Sequence, residues 1–120
     1  MLEVKATAKY IRTSAQKAGL VLQLIRGRNA AEALAILHFT KKSVARDIEK
    51  ALRSAIANAV VVADRNQKRR VDEDDLYVSQ AYANQGPSFK RVRPAPMGRA
   101  FRIIKRTTHL TVHVAERESR

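Results

Sequence analysis

Apolar and polar positions alternate at the start of the chain. In EVKATAKYI (3–11), Val4, Ala6, Ala8 and Tyr10 fall on one side and Glu3, Lys5, Thr7 and Lys9 on the other, the period of a half-buried strand. The period then becomes helical. Ala18, Val21, Leu22 and Ile25 recur at helix spacing behind Thr13 or Ser14 as N-cap, with Gln16 three after Thr13 to close a capping box and Gly27 to end the helix. Asn29 and Glu32 repeat the cap pattern and open a short second helix carrying Leu34 and Leu37. Thr40 is expected to cap a third, longer helix. Its stripe runs Val44, Ile48, Ala51, Leu52, Ala55, Ile56, Ala59 and Ala63, with Arg46, Glu49, Lys50, Arg53 and Asn58 opposite. So many alanines on one stripe point to close packing against another element.

DRNQKRRVDEDD (64–75) reads as a polar loop. LYVSQAYAN (76–84) and IIKRTTHLTVHV (103–114) read as two further strands. In the second, Thr108, Leu110, Val112 and Val114 alternate with Thr107, His109, Thr111 and His113. Between them runs GPSFKRVRPAPMGRAFRIIKR (86–106), which makes a long hairpin with Pro94, Pro96 and Gly98 near its tip. At about ten residues per arm it reaches about 30 Å beyond the body. A chain of 120 residues without internal repeats is one domain. The body is expected over 1–85 and 107–120, and the arm over 86–106.

Charge sharpens this picture. The chain is +13 at neutral pH, so its partner is expected to be a polyanion. Residues 76–115 hold seven cations and no acid, and all seven lie in the arm: Lys90, Arg91, Arg93, Arg99, Arg102, Lys105 and Arg106. An isolated ribbon is marginal in water, and this one has only Phe89, Val92, Met97, Phe101, Ile103 and Ile104 to bury while its cations repel. It is expected to order against polyphosphate, for which the arginine fork is suited. If all seven cations met phosphates, the log–log salt slope would be roughly −5 to −6.

Other chemistry is thin. There is no cysteine, which excludes disulfides, thiolate metal sites and a cysteine nucleophile and fits a reducing compartment. The opening MLEVKATAKYIRT is charged throughout, so export is not expected. No wholly apolar run is longer than that of Ala59–Ala63, which is too short for a membrane span. Asp72–Asp75 lack the glycine and terminal glutamate of a calcium loop. His109 and His113 would stand about 13 Å apart along a strand, too far to share a metal. His38 is expected at the end of the second helix. No catalytic triad, phosphate loop or carboxylate pair stands out, so neither catalysis nor a cofactor is expected. Lys41 and Lys42, at the expected start of the third helix, would put charge beside free N–H groups for a phosphate; solvent exposure explains them equally. The same holds for QKRR (67–70).

SAIANA (54–59), DDLYV (74–78) and GPSFKRVRPAPMGRAFRIIKRTTHLTVHV (86–114), with TSAQKAGLVLQLIRGR (13–28) and EALAIL (32–37) in order, resemble the large-subunit ribosomal protein twenty-two family over nearly the whole chain. The resemblance implies an α+β fold: three helices packed on a three-stranded antiparallel sheet, with a long protruding hairpin. It implies a cytoplasmic, non-enzymatic protein that binds large-subunit rRNA, acts early in assembly and lines the nascent-polypeptide exit tunnel. Neighbouring ribosomal proteins and the nascent polypeptide are its implied partners, without a membrane or a homo-oligomer. The implied rRNA contacts are the seven arm cations with Lys17, Lys41, Lys42 and His109. Pro94, Ala95, Pro96, Met97, Gly98 and Arg99 would form the tunnel-facing tip. Two departures stand out: Ala15 and Lys41 replace prolines usual after helix caps, and Ala95-Pro96 replaces a usual Arg-Ala at the tip. The rival readings are a histone-like DNA-binding protein and a protein-interaction module built on the alanine-rich helix.

Overall fold

The computed structural model describes residues 3–67, 75–94 and 100–116. In chain order these form β1 (Glu3–Ile11), α1 (Ala15–Ile25), α2 (Ala30–Phe39), α3 (Val44–Gln67), β2 (Leu76–Gln85), β3 (Phe89–Pro94), β4 (Ala100–Lys105) and β5 (Thr108–Glu116). β5 lies between β1 and β2 in a three-stranded antiparallel sheet, and β3 pairs with β4 in a separate ribbon. Three helices and this sheet give the expected α+β fold.

The alternation in β5 holds on its inner face, while on the other face Thr111 is buried as well and His109 and His113 are half-buried. Thr108, Leu110, Val112 and Val114 are all fully buried, and α3 packs across β1 and β5 while α1 covers β2. Ala51, Ala55, Ala59 and Ala63, one per turn of α3, are 4% exposed or less. Their small side chains let the helix axis approach the sheet closely. Opposite them, Ala6, Ala8, Ala81 and Ala83 are paired in register with Val112 and Leu110, so bulk sits on the central strand and small residues on the flanks. Among the described residues no buried side-chain polar atom lacks a hydrogen bond.

Several expectations need correction. Tyr10 leaves the inner face: β1 carries an extra residue between Ala8 and Ile11, Tyr10 adopts φ 61°, and Ile11 turns to the core in its place while Tyr10 stays 61% exposed. A bulge of this kind reverses the parity of every residue beyond it. A second bulge between Val78 and Gln80 moves the buried positions of β2 from Leu76 and Val78 to Ala81. Thr40 caps the end of α2, not the start of α3: its N–H donates to the Leu37 carbonyl at 3.3 Å and its Oγ1 to that of Ile36 at 2.6 Å. Lys41 and Lys42 therefore precede α3, which begins at Val44. Residues 64–67, expected in a loop, complete α3.

Another correction concerns the strand expected over 103–114, which breaks after Lys105 and resumes at Thr108. On the other arm the break faces Gly86 and Pro87, and a proline has no N–H to extend a ladder. Ser14, of the two residues offered, caps α1 by accepting the Lys17 N–H at 3.2 Å, so the Thr13–Gln16 box does not form.

Gly27 ends α1 as the third residue of a type II turn. Arg26 has φ −61° and ψ 130°, Gly27 has φ 76°, and the Arg28 N–H returns to the Ile25 carbonyl at 3.1 Å; this turn needs a positive φ at its third position. The Gly27 N–H and the Val78 carbonyl, 2.8 Å apart, tie it to β2. A Cβ here meets nothing within 4 Å, so Gly27→Ala carries backbone strain alone. The expected cost is about 1–2 kcal/mol in urea unfolding; an unchanged midpoint would contradict this.

Candidate nucleic-acid interface

Two threonines buried at the root of the arm fix where it leaves the body. Thr107 Oγ1 donates to the Pro87 carbonyl at 2.5 Å, and the Gly86 N–H donates to the Thr107 carbonyl at 2.9 Å. Thr108 Oγ1 donates to the Thr13 carbonyl at 2.9 Å. The first pair joins the two sides of the ribbon, and the last bond ties the ribbon to the turn that enters α1. Lys105 and Arg106 are thereby held beside the start of that helix.

The result is an open cleft of about 640 Å³ lined by Arg12, Lys17, Lys105 and Arg106, with Thr13, Ser14, Gln16 and Leu20 between them. It holds four cations and no acid. All four are exposed, and none has an ion-pair partner among the described residues. The first turn of α1 also carries no acid, so its positive dipole end adds to the field. By contrast, Arg28 is committed to Glu32 at 3.0 Å, Arg53 to Glu49 at 2.9 Å, and Arg26 to the Ala81 carbonyl at 2.6 Å.

A second cleft, of about 490 Å³, lies where α2 hands over to α3 and includes Lys41, Lys42 and Arg46. Its acid, Glu49, is the carboxylate already held by Arg53. His109 lies at the arm root on the sheet face away from Leu110 and Val112. Its Nδ1 accepts the Tyr10 N–H at 3.1 Å, which leaves the proton of the neutral ring on Nε2. The Tyr10 ring meets it edge-on, with centroids 5.0 Å apart. His113 is engaged elsewhere, 3.5 Å from Glu3 and 3.4 Å from the Tyr82 hydroxyl.

In the ribbon, Lys90 is opposite Ile104, Arg91 opposite Ile103, Arg93 opposite Phe101, Arg102 opposite Val92 and Lys105 opposite Phe89. No two of these cations face each other across the ladder, so the most costly like-charge pairings are avoided. The tip residues Ala95–Arg99, the basic residues 68–70 and the acids 72–74 lie outside the described residues. Of the expected contacts, the structure brings Lys17, Lys105 and Arg106 together and places Lys41 and Lys42 in the other cleft. Arg12 and Arg46 were not expected there. For Arg12 the signal was a cation two residues before the helix cap, with Lys17 three after it.

The sequence profile described as ribosomal protein L22p/L17e matches residues 6–115, from β1 through β5. The chain belongs to the ribosomal protein L22p/L17e family. "Large ribosomal subunit protein uL22" of Solibacter usitatus is 52% identical over 118 residues, covering 98% of this chain and all of that one. The protein of the same name from Lacticaseibacillus casei is 54% identical over 114 residues, covering 95% of this chain and 92% of that one. That of Clostridium tetani is 50% identical over 117 residues, covering 98% and 100%. Membership in the L22p/L17e family makes the chain a ribosomal structural protein and not an enzyme.

Proposed function

We propose that this chain is a structural constituent of the large ribosomal subunit, working on the ribosome in the cytoplasm, and that it binds large-subunit rRNA along one basic track from the arm root to the tip. Family membership supports the assignment to the large subunit. The observation that carries the binding reading is the arm-root cleft, where Arg12, Lys17, Lys105 and Arg106 converge without an acid. Four unneutralised cations repel one another until phosphates displace water and counterions between them. The cleft reads backbone position and RNA shape. Lys90, Arg91, Arg93, Arg99 and Arg102 extend the track along the arm, while Lys41, Lys42 and His109 serve the body.

In this reading the chain is one domain whose arm, 86–106, enters the RNA interior during early subunit assembly. The tip residues Pro94–Arg99 then line the nascent-polypeptide exit tunnel, with the nascent chain and neighbouring ribosomal proteins as further partners. A ribbon with so little to bury gains its order from that RNA, so amides of β3 and β4 become strongly protected from exchange only once RNA is bound. The test is competition between structured large-subunit rRNA and duplex DNA, each across a salt series. rRNA wins at every salt concentration if the reading holds. A preference for the duplex DNA would overturn it in favour of a histone-like protein.

A further inference from the structure

We propose that Phe39 is a stacking platform for an unpaired RNA base, with Lys41, Lys42 and Arg46 holding the phosphates that flank it. This rests on the RNA-binding reading above and adds a subsite that shares no residue with the arm-root cleft. Phe39 is 81% exposed, the largest exposure among the described large apolar side chains. A phenyl ring has no polar atom to gain from water, so the fold leaves a flat apolar surface unused.

Its position is nonetheless fixed. Phe39 is the last residue of α2, directly after Leu37, which is 2% exposed, and His38. On its other side Thr40 is pinned by two hydrogen bonds to the last turn. The His38 ring meets Phe39 at a centroid distance of 5.2 Å and an angle of 84°. That edge-to-face contact braces the ring while leaving a face open. Phe39 is not itself in the lining of the neighbouring cleft, but His38, against its ring, is, together with Lys41, Lys42 and, from the first turn of α3, Arg46. Since Arg53 engages Glu49, the local field stays positive.

An open ring flanked by cations is the combination that grips single strands: the base stacks and the cations take the phosphates. A duplex keeps its bases stacked inside and offers the ring nothing. A protein partner could also cover a bare phenylalanine, but the three neighbouring cations favour a polyanion.

The chain contains no tryptophan, so Phe39→Trp adds a lone indole reporter at the site. Leu24→Trp, on α1 at a position 47% exposed and outside both clefts, is the control. Each full-length variant is titrated with a short oligouridylate and with an RNA duplex of equal length, following indole emission and the anisotropy of labelled RNA. The expected result is strong quenching of the Phe39→Trp chain by the oligouridylate alone, with the Leu24→Trp chain unquenched by either RNA. Phe39→Leu weakens oligouridylate binding about tenfold and leaves duplex binding unchanged, the loss of one base–aromatic stack, while Phe39→Tyr retains it. Equal quenching in both reporters, equal quenching by duplex, or full affinity in Phe39→Leu overturns the proposal. RNA that binds by anisotropy yet leaves the Phe39→Trp indole untouched returns the ring to a protein-facing role and overturns it too. Failure of any RNA to bind overturns instead the reading beneath it.

Discussion

Changing Arg12, Lys17, Lys105 and Arg106 together to glutamine is expected to flatten the log–log salt slope of rRNA binding by about three and to weaken binding about a thousandfold near 0.1 M salt. Each phosphate contact releases roughly 0.7–0.9 counterion, so four contacts account for a change of that size. The fold itself should be unaffected. All four side chains are exposed, and removing mutual repulsion leaves the thermal midpoint unchanged or slightly raised. Arg28→Gln with Arg53→Gln is the control, because those cations already pair with Glu32 and Glu49 and bring less free charge to RNA. A slope identical to that of the unaltered chain would show that the cleft does not meet phosphates.

Gly86→Ala is expected to destabilise the body by about 2 kcal/mol, a typical cost of forcing an extra methyl into a filled space. Its Cβ would stand 2.7 Å from Thr107 Oγ1 and 3.2 Å from His109 Nε2. Thr107 cannot easily yield, since it is 2% exposed and its hydroxyl is held by the Pro87 carbonyl at 2.5 Å. Thr107→Ala alone costs about 1 kcal/mol through that lost bond. In the double variant the obstructing oxygen is gone, so it should cost less than the sum of the two single changes, with a coupling on the order of 1 kcal/mol. Strict additivity in urea unfolding would rule out this close approach as the cause.

What could be read from the sequence were features that a local pattern carries by itself. The strand period of residues 3–8, the alanine stripe of α3 and the alternation of Thr108 through Val114 each need only nearby residues, and each appears in the fold. Most of the misses depend on contacts distant in sequence, and one on a choice between two adjacent helix ends. Tyr10 leaves its face because β1 must stay in register with β5 around an extra residue, and nothing in a tyrosine announces a left-handed φ. Thr40 is as plausible before α3 as after α2, and only the carbonyls of Ile36 and Leu37 decide between them. The break after Lys105 is set by Gly86 and Pro87 on the other arm. The arm's character was plain from charge alone, yet the convergence of Arg12 with Lys105 and Arg106 depends on the Thr108–Thr13 bond, which spans most of the chain.

The placement of β5 governs the order in which the molecule can be completed. β1 and β2 each pair with β5 and not with one another, so neither edge of the sheet has a neighbour until residues 108–116 have been made. The arm precedes β5 in the chain, so every arm residue is synthesised before the body can close. The sheet therefore closes last, through pairings of β5 with β1 that span about a hundred residues and that no shorter part of the chain can make.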